Sequence, residues 1–502
     1  MVMKFPFDRI EEVIASAWKG REEKSCLWWQ GSWWSWGQLA ALADDCTEKL
    51  RQSGFGEGER LGLLLPDSPL LHALSLAAWR LGGAVAPLNA RTGAVNLLDT
   101  IKMLDLSAVV LTEEGCKKAL ERGFREDIPL VPATPDLPLS EWKSRKGRPE
   151  TAETAVIFST SGTSGQPKAV VCHHSNILGN IAPIKEHVPG LLDEDAVFLN
   201  VLPNFHTFGF NVAGILPLAS GVKQAVIPSF VPVDNTIKAI QEAGVNRIIA
   251  VPTIMTFLLG ALAKNNIRLT GITHVITGGD RLNVQMEPRS LEYLGCGILE
   301  GYGLTECSPV VAVNSTQESK KLGTVGRAYP DYELEVRDRE GRRLELHQEG
   351  VLYLKGPSVV PGYFRDEKNT AERFSDGWFN TGDVVRIDSD GYIQIVDRAT
   401  DIIIVSGFNV YPQEVEAVLC AHPAVHSAVA VGEKNNVAGE LVKAFIILNE
   451  GAQVTSKELM DYCRERLSHY KVPRKIGFVT EYPLSATGKV LRRELRKMKI
   501  AK

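Results

Sequence analysis

The chain has 502 residues, enough for about three compact units or for one large domain with a smaller one. Hydrophobic residues at 44% and charged residues at 23% give an ordinary globular balance with ample material for a buried core. A net charge of −4 without a long basic block argues against a nucleic-acid surface. The eight cysteines (26, 46, 116, 172, 296, 307, 420 and 463) are scattered without a C-x-x-C pair, which predicts free thiols in a reducing compartment and neither a disulfide framework nor a zinc site. The N-terminal MVMKFPFDRIEE holds no apolar leader. The longest apolar stretch, 69–87, is broken by His72, Arg80 and two glycines, so it reads as a buried helix and strand and not as a membrane span. These features predict a soluble, cytoplasmic, mixed α/β protein.

In chain order, the first patterned segment is 27–37, LWWQGSWWSWG, which reads as a β-hairpin turning at Gln30-Gly31 and followed by a helix capped at Ser35. Neighbouring strand residues face opposite sides, so Trp28-Trp29 and Trp33-Trp34 do not all point one way. That leaves open a homodimer or peripheral membrane contact through the Trp28–Trp36 hairpin. Next come a strand at 60–65, a helix at 70–81 and a strand at 84–88. The rhythm returns with a helix at 235–243, a strand at 247–251, a helix at 254–263 and a strand at 274–276. Helices between buried strands imply parallel sheets with helix-covered faces. From about 320 the texture changes to short alternating strands (YELEVRD, GVLYLKG, GYIQIVD) between Asp-Gly and Glu-Gly turns, an antiparallel, barrel-like section. After Asp397-Arg398 the α/β rhythm resumes for about a hundred residues. A boundary is therefore expected there, with a large domain over 1–398 and a small α+β domain over 399–502.

The most informative segment is 158–171, FSTSGTSGQPKAVV. An apolar strand at 155–158 runs into a stretch of small and hydroxylated residues, Thr160, Ser161, Gly162, Thr163, Ser164 and Gly165, that ends in Pro167-Lys168. Glycines let backbone amides converge on an anion, while hydroxyls and a lysine add donors, so this reads as a phosphate cradle. It is not the G-x-x-x-x-G-K-[ST] loop, because Lys168 follows proline and precedes Ala169.

Here the chain resembles the adenylate-forming superfamily of acyl-CoA synthetases, amino-acid adenylation domains and luciferases, whose T-S-G-T-[ST]-G-x-P-K-G loop holds ATP phosphates. Ala169 stands in place of the closing glycine. Further blocks follow in the family's order, so the resemblance spans roughly 10–495. In EGYGLTE (300–306), with Gly301 and Gly303 flanking the tyrosine, the resemblance implies that Tyr302 stacks on adenine, Thr305 meets the α-phosphate and Glu306 holds Mg²⁺. A hard cation bridging phosphates suits a carboxylate oxygen. In WFNTGDV (378–384) it places Asp383 on the ribose hydroxyls, reinforced by Arg398 of DRATDIIIVSGFNVYPQEVE. The expected hinge position two residues on is Thr400, where the family usually has Asp or Lys, and Asp397 replaces a commoner glycine. In PLSATGKVLRR (483–493), Lys489 matches the mobile lysine that bridges the attacking carboxylate and the α-phosphate. The residues the resemblance marks as catalytic are thus Lys489, Thr163, Glu306 and His206.

His206, in LPNFHTFGF (202–210), lies where the family gates its acid pocket. The absence of an acidic residue there sets the chain apart from the amino-acid-activating branch. Gly278, Gly279 and Asp280, after the strand at 274–276, are expected to line the adenine and acyl site. Gly407 in SGFN is expected to let pantetheine pass, and Tyr470, Lys471 and Arg474 are offered either to a CoA phosphate or acidic carrier protein or to solvent. The implied activity is ATP-dependent formation of acyl-AMP and then of an acyl thioester, with a medium- or long-chain fatty acid and CoA. A fatty acyl–acyl-carrier-protein ligase using holo acyl carrier protein, an aryl-acid CoA ligase and a non-catalytic nucleotide-binding regulator stay open as alternatives.

Overall fold

The structure is a computed structural model that describes residues 5, 7–89, 94–121, 124, 128–134, 139–148, 150–161, 167–406, 408–435, 439–484 and 490–500. The chain divides into two compact units, Met1–Glu333 with Leu354–Phe379, and Leu334–Tyr353 with Asn380–Lys502.

The first unit contains two large sheets. One runs Arg327–Ala328, Val310–Val313, Ile298–Gly303, His274–Thr277, Arg247–Ala250, Val197–Asn200, Lys223–Val226, Ser25–Trp29, Ser32–Ser35. The other runs Leu130–Pro132, Ala108–Leu111, Arg60–Leu64, Ala84–Pro87, Thr154–Ser161, Pro167–His173. Their central strands are parallel and largely buried, as the continuous apolar runs predict. The stretch 69–87 is the helix Pro69–Arg80 and the strand Ala84–Pro87, with nearly every side chain buried. Expected and observed element boundaries agree within two residues for the helices Val233–Ala243 and Pro252–Lys264.

The structure departs from uniformly parallel sheets at their margins. Val310–Val313 turns back antiparallel on Ile298–Gly303, and Pro167–His173 turns back on Thr154–Ser161. A short connection joins only antiparallel neighbours, because a parallel crossover needs a dozen or more residues. Both turns coincide with expected ligand-binding blocks.

The tryptophan hairpin forms as its sequence predicts. Gln30 and Gly31 both take positive φ (50° and 85°), the backbone of a tight hairpin turn. Ser35 caps the helix Trp36–Gln52 in a reciprocal box, its side chain accepting from the Gln38 amide while the Gln38 side chain accepts from the Ser35 amide. The strand alternation divides the rings between two cores. Trp28 and Trp33 pack with Val197, Leu199 and Ile248 on one side of the sheet, and Trp29, Trp34 and Trp36 pack with the core of the other side. Trp28 and Trp36 are buried and Trp29, Trp33 and Trp34 half-buried, so most of the aromatic surface packs internally.

In the second unit the strand Trp378–Ile387 pairs antiparallel with Ile393–Arg398. A further sheet orders Phe408–Val410, Ile403–Val405, Gly439–Leu448, Val425–Asn435, with Lys475–Phe478 added parallel to Gly439–Leu448. The helices Pro412–Cys420 and Ser456–Arg464 supply its core through Val415, Leu419, Leu459 and Cys463. None of the eight cysteines forms a disulfide. Among the described residues no helix is long and apolar enough to cross a membrane, and no cluster of three or more His, Cys, Asp or Glu side chains is placed to hold a metal ion.

Candidate active site

In the first unit, the expected residues follow the C-terminal ends of strands that lie close in one sheet: His206 after Val197–Asn200, Gly279 and Asp280 after His274–Thr277, and Tyr302 to Glu306 in and after Ile298–Gly303. That edge of an open α/β sheet is where ligands settle, because backbone donors and loop side chains converge there. The approach is close. A Cβ on Gly278 would lie 3.1 Å from the Gly301 carbonyl and 3.8 Å from the Phe208 ring. Gly279 has φ +85°, and Asp280 is exposed, its carboxylate accepting from the Arg281 amide at 2.7 Å.

Glycine is obligatory at 303, where a Cβ would stand 2.2 Å from the Pro309 carbonyl. That proximity lets the Leu304 amide donate to Pro309 O (2.9 Å) and folds 304–309 into a tight turn. The turn is pinned from three sides. Asn180 Nδ2 donates to Cys307 O and Val310 O (3.0 and 2.7 Å), Tyr332 Oη donates to the same carbonyls (3.1 and 3.2 Å), and Asn211 Nδ2 donates to Ser308 O (3.2 Å). Thr305 is buried and Glu306 is half-buried. One Glu306 oxygen, Oε1, accepts from the Tyr363 hydroxyl at 2.7 Å. Lys168 Nζ lies over the Tyr363 ring, 5.0 Å from its centre. The lysine of the phosphate cradle and the carboxylate expected to hold a cation therefore share one tyrosine.

Of the cradle itself, Thr160 and Ser161 end the strand Thr154–Ser161, with Thr160 paired to Lys168 and Ser161 to Pro167. Gly162, Thr163, Ser164 and Gly165 lie outside the described residues, as do Gly407 and Lys489. The His206 segment is held from behind, since Asn204 N donates to Asp67 Oδ1 (3.1 Å) and His206 Nδ1 accepts from the Phe208 amide (3.2 Å). With Nδ1 accepting, a neutral ring carries its proton on Nε2. His206 is half-buried, whereas Phe210 takes the core position, edge-on to Trp79 and Phe158.

In the second unit, Asp383 and Arg398 are direct cross-strand partners, with Nε 2.7 Å from Oδ1. Asp383 is buried, and its amide donates to Thr381 Oγ1, which itself donates to Leu352 O (3.0 and 2.8 Å). Burial pushes the Asp397 carboxyl up to about 6, against the hydrogen bonds it accepts from the Arg398 and Gln413 amides. Thr400 is exposed, and its carbonyl accepts from Arg496 Nη2 at 3.3 Å; the same guanidinium pairs with Asp401 at 2.6 Å. Lys471 is paired with Glu414 at 2.6 Å, Arg474 meets His469 at 3.1 Å, and Tyr470 stacks on the exposed Phe408 at 4.7 Å.

Sequence reasoning missed Tyr363 and Asn180. The PGYF run at 361–364 carried the signal for the first, a glycine before an aromatic residue; a lone Asn in a helix carries none.

A model of the AMP-binding enzyme family matches residues 14–364, and one of the AMP-binding enzyme C-terminal domain matches 414–489. A long-chain-fatty-acid–CoA ligase of Yersinia pestis is 34% identical over 68% of this chain and 61% of its own length. The chain thus spans about three fifths of the length of such curated relatives. The ATP-bound structure of MatB from Rhodopseudomonas palustris superposes with a TM-score of 0.87 at 26% identity, covering 97% of this chain and 98% of that one. The o-succinylbenzoate CoA synthetase of Bacillus subtilis, solved with its acyl-adenylate intermediate, gives 0.85 at 26% identity, covering 98% and 99%.

Proposed function

The chain belongs to the AMP-binding enzyme family, and on that premise we propose that it is an ATP-dependent acid–thiol ligase acting on a medium- or long-chain fatty acid and CoA. The observation that carries the reading is the grouping of Lys168, Tyr363 and Glu306 beside the Gly303 turn. A cation and a carboxylate are brought there to one tyrosine at the end of a sheet. In the first step a carboxylate oxygen of the acid bonds to the α-phosphorus while the bond to pyrophosphate breaks. In the second, the thiol sulfur bonds to the acyl carbon and AMP leaves with the electron pair of the broken bond.

Thr160 to Gly165 and Lys168 take the phosphates in this proposal, and Thr305 the α-phosphate. Tyr302, with Gly279, Asp280, Gly301 and Gly303, takes the adenine side, and Asp383 with Arg398 the ribose. His206 gates the acid, Gly407 admits the thiol, and the boundary at 398–399 with Thr400 is the pivot between half-reactions. Lys489 offsets the repulsion between the attacking carboxylate and the phosphates. Glu306 fits Mg²⁺ brought in with the nucleotide. One of its oxygens is committed to Tyr363 and the other is left to a ligand, and a cation that keeps waters and phosphate oxygens needs only one or two carboxylates. Bound Mg²⁺ supplies charge neutralisation on the leaving pyrophosphate. The similarity to a long-chain-fatty-acid–CoA ligase supports the choice of acid.

The test is pyrophosphate release with MgATP across octanoate, palmitate, benzoate and several amino acids, with CoA or holo acyl carrier protein in parallel. Fatty-acid-dependent release that rises with CoA is the expected result. Stimulation by carrier protein alone would replace the acceptor, and release with benzoate alone would replace the acid. Silence with every acid would leave the ligase reading without support.

A further inference from the structure

The segment Val360 to Phe364 is a strap between the two halves of the nucleotide site. Its Val360 amide donates to the backbone carbonyl of Glu306 at 3.0 Å. Two residues on it zips along the strand Pro167–His173. The Val171 amide donates to Gly362 O (3.3 Å), the Phe364 amide donates to Ala169 O (2.7 Å), and Tyr363 bridges Val170 antiparallel. Side chains repeat the link that the backbone makes. The Tyr363 hydroxyl donates to Glu306 Oε1 at 2.7 Å, and its ring face lies under Lys168 Nζ at 5.0 Å. Tyr363 is 6% exposed, so the hydroxyl and the ring are both held by the packing around them.

We propose that Tyr363 is a positioning residue for the nucleotide's metal and phosphates: its hydroxyl aims the other oxygen of Glu306 at the cation, and its ring aims Lys168. The inference rests on the ligase reading of the same site. A half-buried carboxylate with a single fixed oxygen is preorganised, whereas one free to rotate must give up that freedom when it binds. Hydrogen bonds to charged groups are strong enough for the loss of this one to be visible as roughly a tenfold effect.

Two substitutions separate the hydroxyl from the ring. Tyr363→Phe keeps the ring under Lys168 and removes the donor to Glu306, and Tyr363→Leu removes both. The readout is affinity for ATP with and without Mg²⁺ in the full chain, measured by displacement of a fluorescent ATP analogue, with thermal midpoints recorded alongside. For Tyr363→Phe, metal-free ATP affinity is expected to match the wild type while the gain on adding Mg²⁺ shrinks about tenfold. For Tyr363→Leu, metal-free affinity should also fall several-fold, because Lys168 has lost its ring. A full Mg²⁺ gain in Tyr363→Phe would overturn the proposal. So would an equal loss with and without the metal, which is what a purely structural role produces. If the wild type itself shows no Mg²⁺-dependent gain, the ligase reading falls, and the role of Tyr363 falls with it.

Discussion

Burial holds two carboxyls above their ordinary range, Asp397 at about 6 and Glu300 at about 7. Glu300 stands at the head of the EGYGLTE block and accepts from the Leu282 amide at 3.3 Å, a bond that favours its charged form but is outweighed by desolvation. Both groups therefore keep a proton in the native state to a higher pH than in the unfolded chain. Between pH 4 and 7 the native state binds more protons, so stability falls as pH rises. The contribution is fully present below about pH 4 and is lost through about 6 for Asp397 and about 7 for Glu300, on the order of 3 kcal/mol each. Glu300→Gln and Asp397→Asn should each flatten this slope. Urea midpoints at about pH 5 and 8 should thus differ less in the variants than in the wild type. Equal slopes in all three proteins would mean that neither carboxyl is raised.

At the scale of elements, the turn after Ile298–Gly303 concentrates the demands of the site. Gly303→Ala puts a methyl 2.2 Å from the Pro309 carbonyl, so the backbone of 303–309 has to move and carry Glu306 with it. A stability loss of about 1–3 kcal/mol is expected from the overlap, together with the loss of nucleotide binding. Isothermal titration with MgATP and urea unfolding on the same preparation check both. Wild-type affinity in Gly303→Ala would show that the turn does not position Glu306. The Ile298–Gly303 strand and the tryptophan hairpin also show how far local pattern reaches. The Ser35 cap, the Gln30-Gly31 turn and the alternation that sends Trp28-Trp29 and Trp33-Trp34 to opposite faces were all readable in 27–37, because each depends on residues a few positions apart. That alternation left the destination of the outward rings open. Only the helices and strands packed on each side show that rings on both faces meet a core.

For the whole molecule, the proposed two-step reaction makes one lysine separable from the rest. Lys489→Ala should lower acid-dependent pyrophosphate release by about 10²–10³, the usual cost of one preorganised donor in the transition state. It should leave thioester formation from a supplied acyl-adenylate comparatively intact, because the second step has no carboxylate attacking a polyanion. Measuring both half-reactions on one preparation checks this, and an equal fall in the two would remove the assigned role. The contacts around the proposed pivot bear on the same balance. Thr400 lacks the charge usual at the hinge of resembling enzymes, and here its carbonyl is held by Arg496, a residue some hundred positions away in sequence.

The sequence by itself determined the class of fold, the buried parallel strands and the blocks proposed to carry the chemistry. The fold class follows from periodicity and the cradle at 158–171 from residue type, whereas the roles expected of 300–306 came with the family resemblance. It did not determine which blocks meet. That Asp383 faces Arg398 is a matter of strand register, and that Glu306 and Lys168 share Tyr363 is a matter of a strap between two distant turns. The antiparallel margins of the sheets, by contrast, follow from short connections that leave the returning strand no parallel route. Local preference acts over a few residues, whereas a site assembled from residues 168, 306 and 363 exists only once the sheets have closed around it.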